Sequence, residues 1–200
     1  GNCNDTEREA LEDITGENFN PVPDFAIVEP KGPGQKWSYD AANAALQKNG
    51  KGRANFERGR SLYFGLSCAK CHRFDGLGGN IGPDLTSVPH KFDQTYLLRA
   101  IIEPSKHISD QYGSSIVVLA DGRAVTGLVI ENGDSIEIYP NDAKPDTPPI
   151  KVTADDIEEM TPSPISQMPT GLFDKCSPEE IRDLTAYIMS GGNPEDKRFK

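Results

Sequence analysis

Two thiols three positions apart, followed at once by an imidazole, stand out in this chain: Cys68-Ala-Lys-Cys71-His72. Three chemistries use a Cys-x-x-Cys pair. A zinc site needs four ligands, usually from two such pairs. No second pair exists here, because Cys3 and Cys176 are isolated and His90 and His107 lie far apart in sequence. A dithiol redox motif would follow a strand and open a helix, whereas this one follows a stretch that reads as helix. The remaining chemistry is covalent haem attachment, for which Cys-x-x-Cys-His is the signature. Two thiols that add across the two vinyl groups of one haem must lie on one side of a tight turn. The next residue then brings its imidazole to the iron from that side.

A helix over 54–65 leads directly into this motif. After it come the glycines of 76–82, which let the backbone approach a flat ligand without a Cβ. A phosphate cradle is excluded, since no Gly-Lys-Ser/Thr follows. A second helix fits 92–102, with Asp93 as cap and Tyr96, Leu97, Ala100 and Ile101 on one face. The last helix is signalled most fully: Ser177 as N-cap, Pro178 in the first turn, Glu180 as capping-box partner, an Ile181/Leu184/Ile188 stripe, and Gly191-Gly192 as the stop.

Between the second and last helices the period changes from helical to alternating. Strands are expected over 115–119, 123–130, 135–139 and 150–153, with turn signals at Asp121-Gly122 and Asn132-Gly133. They would form a small antiparallel sheet of three or four strands, with an irregular loop over 140–149 and irregular chain over 161–169. Residues 1–52, rich in Pro, Gly and Asn, read as an extended arm with one short helix over 39–47, anchored by Trp37.

The flanks of the motif carry a family resemblance. Gly59-Arg60-Ser61-Leu62-Tyr63-Phe64, the Cys-x-x-Cys-His motif, Gly82-Pro83-Asp84-Leu85 and a late Met168-Pro169 resemble the class I c-type cytochrome domain. More narrowly, Cys71-His72-Arg73-Phe74, Glu103-Pro104-Ser105-Lys106, Asp110-Gln111-Tyr112, Asp121-Gly122-Arg123, 166–172 and Ser190-Gly191-Gly192 resemble the planctomycete-type haem-binding cytochrome domain. The resemblance spans about residues 37–200. It implies a mainly α cytochrome c fold with an inserted small antiparallel β-sheet, α+β overall. Residues 1–52 would be the arm, 53–111 and 160–193 the haem-binding domain, 112–159 the inserted sheet and 194–200 a tail. It further implies one covalently attached haem c bound by Cys68, Cys71, His72, Gly82, Pro83, Leu85 and Met168. His72 and Met168 would be the axial ligands, and the Pro83 carbonyl would hold the free ring N–H of His72. Met160 and Met189 are rival methionines, at the end of the sheet and inside the last helix; His90 and His107 are rival histidines.

The formal charge of −10 argues against a nucleic-acid binder and is compatible with a basic or neutral redox partner. No apolar run is long enough to span a membrane. His/Met ligation leaves no open iron position, which points to electron transfer rather than catalysis. The expected setting is periplasmic or exported, and the expected partner a periplasmic redox protein such as a dehydrogenase. The rival readings are a haem enzyme or small-ligand sensor with a labile Met168, and a binding module built on the sheet. Cys3 would carry a lipid anchor, pair with Cys176, or stay free; Cys176 alone would suit buried packing. No catalytic set can be assembled.

Overall fold

The structure is a computed structural model and describes residues 25–49, 52–79, 81–141 and 147–200. It divides into two compact units, residues 25–98 with 173–200, and residues 99–172.

The first unit is helical. Its elements are α1 (Tyr39–Asn49), α2 (Phe56–Gly65), the single turn α3 (Cys68–Cys71), α4 (Val88–Lys91) and α6 (Pro178–Met189), with α5 (Gln94–Ile102) beginning in it. The helix expected over 54–65 starts at Phe56, because the Asn55 side chain accepts the Arg58 N–H at 2.8 Å and caps it there. At α6 the capping box forms as read: Ser177 Oγ accepts the Glu180 N–H and the Glu180 carboxylate accepts the Ser177 N–H. Its stripe of Ile181, Leu184 and Ile188 is buried. Asp93 caps α5 by accepting the Tyr96 N–H at 2.7 Å.

Helices α2 and α6 cross at Gly59, where a Cβ would run into the Asp183 carbonyl and lie 2.8 Å from Tyr187 Cβ. Beside that crossing, Asp183 is fully buried and accepts from Arg58 Nε at 2.6 Å and Arg182 Nη2 at 3.2 Å. The rings of Tyr63, Phe74 and Tyr187 pack edge or tilted at 5.1–6.2 Å.

The described part of the arm is a strap across this crossing. Val28 N–H donates to Ser61 Oγ at 2.6 Å, and the Lys31 and Gly32 N–H groups donate to Glu180 at 2.7 and 3.1 Å. Further on, Gln35 N–H donates to the Asp174 carbonyl at 2.8 Å and Trp37 Nε1–H to the Cys176 carbonyl at 3.1 Å. Gly32 is required by close approach, since any Cβ would overlap the Ser177 backbone.

The second unit is an antiparallel sheet of five strands in the order β4-β3-β2-β1-β5. They are β1 (Ser115–Leu119), β2 (Ala124–Asn132), β3 (Ser135–Pro140), β4 (Ile150–Val152) and β5 (Ile157–Pro162). Val117, Leu119 and Ile138 form its core, with Val129, Ile150 and Ile157 packed against them. The count of three or four strands is corrected by β5. That strand was hidden because Glu158, Glu159, Met160 and Thr161 are all exposed and show no apolar alternation. It is held instead by its ladder to β1 and by the turn before it, where Thr153 and Asp156 cap one another. Met160 therefore belongs to a strand and 161–162 is not irregular.

Candidate haem site

The motif residues sit on one tight turn. Ser67, just before it, adopts a left-handed conformation (φ 63°) that ends α2 and redirects the chain into α3. That single turn puts Cys68 and Cys71 one after the other on it, and the His72 N–H closes it by donating to the Cys68 carbonyl at 2.9 Å. Both cysteines are free thiols, not bonded to each other. Burial pushes the Cys68 thiol up to about 12 and also raises Cys71, against the pull of Lys70. Neither is the acidic thiol of a dithiol redox motif. Among the described residues no group of three or more His, Cys, Asp or Glu side chains is placed to grip a metal ion.

His72 is held at every polar group but one. Its ring Nδ1 lies 2.8 Å from the Pro83 carbonyl, which makes it the donor nitrogen and leaves Nε2 with the lone pair. Burial lowers the imidazole's proton affinity and the Pro83 bond works the other way; the net direction is down, toward the neutral ring that ligates iron. The loop that delivers Pro83 is stitched to the motif by Gly79 N–H to the Ala69 carbonyl (2.9 Å) and Gly82 N–H to the Cys71 carbonyl (2.8 Å). Leu85 N–H to the Arg73 carbonyl (2.8 Å) continues the seam. Gly82 backs directly on the imidazole: a Cβ would stand 2.7 Å from Cε1. At Gly78 (φ 104°) a Cβ would likewise run into the His72 carbonyl.

The sequence-derived residues thus fall into two groups. Cys68, Cys71, His72, Gly82, Pro83 and Leu85 are brought together in the first unit. Met168 lies in the second, on the segment after β5, half-buried, with its N–H donating to Ser166 Oγ at 3.1 Å. Met189 is buried in α6, as its position suggested. Cys176 is a fully buried thiol; Cys3, like residues 1–24 as a whole, lies outside the described residues.

One contact at the motif has no signal in the sequence. The Tyr63 hydroxyl donates to the His72 carbonyl at 2.5 Å. The ring was legible as an apolar residue of α2, but which backbone atom its hydroxyl meets depends on the fold of the motif.

The model of the cytochrome c family matches residues 56–116. The match runs from the start of α2 through the motif, the glycine loop and α5 to the first strand. It supports a c-type cytochrome domain in this part of the chain and implies covalently attached haem c with its iron. No curated protein matches the chain. The residues present fit that group: two neighbouring thiols free to form thioethers, a neutral imidazole with Nε2 available, and a glycine where any side chain would displace the ring. Cytochrome c domains act as electron carriers, and no described helix is long and apolar enough to cross a membrane.

Proposed function

We propose that this chain is a monohaem electron-transfer cytochrome of the planctomycete type, with His72 and Met168 as axial ligands. The observation that carries the reading is the His72 imidazole, fixed by Pro83 beside two free thiols. In this reading Cys68 and Cys71 hold the haem through thioether bonds. His72 donates its Nε2 lone pair, and the Pro83 carbonyl keeps the ring in one tautomer and raises its basicity. Haem iron supplies a one-electron couple when bound, and a thioether ligand from Met168 would raise its potential. With His72 and Met168 both holding the iron, small ligands would be excluded and exchange with a partner would be outer-sphere.

Residues 53–111 and 160–193 would form the haem-binding domain, with the sheet of 112–159 inserted in it, the arm of 1–52 before it and 194–200 as a tail. The site of action would be the periplasm or another exported setting, with a redox partner such as a dehydrogenase. Cys3 is the position at which a lipid anchor would sit. The net charge of −10 favours a partner with a basic face.

The test is the absorption spectrum of the oxidised and reduced chain beside Met168→Ala. Low-spin six-coordinate bands, with a methionine–iron charge-transfer band lost in the variant, are expected. High-spin bands in the parent, or a variant spectrum equal to the parent's, would remove Met168 and bring forward a haem enzyme or sensor.

A further inference from the structure

We propose that Tyr63 is a positioning residue for His72, its buried hydroxyl fixing the peptide from which the imidazole hangs. The inference rests on the assignment of His72 to the iron. Tyr63 is 1 % exposed, and its hydroxyl donates to the His72 carbonyl at 2.5 Å. The donor is itself immobile. Its ring is held edge-on by Phe64 at 5.4 Å and tilted against Phe74 at 5.6 Å and Tyr187 at 6.2 Å.

The acceptor side is equally confined. His72 donates its backbone N–H to the Cys68 carbonyl and its Nδ1–H to the Pro83 carbonyl, and a Cβ at Gly78 would run into the same carbonyl that Tyr63 binds. Nε2 is the only polar atom of the residue outside this set of contacts. The Tyr63 bond sets the plane of the peptide shared by His72 and Arg73. The Arg73 carbonyl in turn accepts the Leu85 N–H at 2.8 Å, two residues beyond Pro83. One hydroxyl therefore ties together the origin of the imidazole and the strand of loop that orients its ring. A buried tyrosine that merely satisfied its own hydroxyl would stabilise the fold; this one, acting through the Pro83 bond, also tunes how strongly the ring donates.

The experiment compares the haem-loaded full chain with Tyr63→Phe and Tyr187→Phe, reading the reduction potential and the His72 Nδ1–H resonance. Tyr63→Phe is expected to shift the potential upward, because a loosened Pro83 bond leaves a less basic imidazole, and to move that resonance. Tyr187→Phe, which removes a hydroxyl from a neighbouring ring of the same cluster, should leave both where they are. If Tyr63→Phe fails to fold, 3-fluorotyrosine at position 63 keeps the packing and strengthens the donor, and the potential should shift downward. An unmoved potential, or equal shifts in Tyr63→Phe and Tyr187→Phe, overturns the role of Tyr63 alone. Absence of covalent haem from the parent chain would instead overturn the assignment of the motif on which the proposal rests.

Discussion

Around His72 the glycines differ in what they permit. At Gly82 an added methyl would lie 2.7 Å from Cε1 and 2.8 Å from Nδ1 of the imidazole, so either the ring or the loop has to move. Overpacking of this kind costs about 1–3 kcal/mol. Gly82→Ala is expected to lower the urea midpoint and to disturb the low-spin spectrum together, since the displaced group is the proposed ligand. Gly76 offers the contrast: its φ of 79° strains any L-residue, but no atom lies within 4 Å of a Cβ there. Gly76→Ala should cost about 1–2 kcal/mol of stability and leave the spectrum of the loaded chain as it is. A spectrum altered equally by both substitutions would mean that the loop responds as a whole and that Gly82 has no special relation to the ring.

Helices α2 and α6 and the strap depend on two carboxylates of α6. Asp183 is fully buried against Arg58 and Arg182. Arg58→Leu removes the 2.6 Å partner and should cost up to about 3 kcal/mol, read as a shift in the urea midpoint; Arg182 limits the loss. Glu180 serves both the cap of its own helix and the strap. Burial alone would raise its carboxyl, but N–H donation from Ser177, Lys31 and Gly32 outweighs that and holds it below the ordinary carboxylate range. A depressed carboxyl contributes its full stabilisation above the unfolded value of about 4.3 and loses it as pH falls through the folded value. Amide exchange at Lys31 and Gly32 should therefore accelerate on acidification below that range. In Glu180→Gln it should be fast at neutral pH already. Exchange at these amides that is independent of both pH and the substitution, after correction for intrinsic rates, would show that Glu180 does not hold the strap.

The same elements show what a sequence can disclose. Helix α6 was legible from end to end because Ser177, Pro178 and Glu180 signal its start locally and Gly191-Gly192 its end. The Cys-x-x-Cys-His cluster was legible because attachment chemistry fixes its spacing. Strand β5 was not, since its pairing with β1 is non-local and its side chains are exposed. Helix α4, a single turn over Val88-Pro89-His90-Lys91, is too short to show a period. The second duty of Glu180, and the hydroxyl contact of Tyr63, join residues distant in sequence or set by the motif's own fold, which no local pattern records.

Over the whole molecule, a formal charge of −10 would attract the proposed basic-faced redox partner at long range. The bimolecular rate of electron exchange with a basic partner protein should fall as ionic strength rises from ~0.01 to ~0.15 M, as the screening length shortens from about 30 to 8 Å. A rate that is flat over that range would place the contact on a neutral patch. All of this presupposes that one haem is covalently held by the first unit. The most direct measurement is the intact mass of the full chain, matured with a cytochrome c attachment system, after extraction with acidified acetone. A mass increased by one haem is expected, one that survives extraction and is lost when Cys68 and Cys71 are both replaced by Ser. A mass equal to that of the polypeptide alone, or haem removed by the solvent, would contradict it.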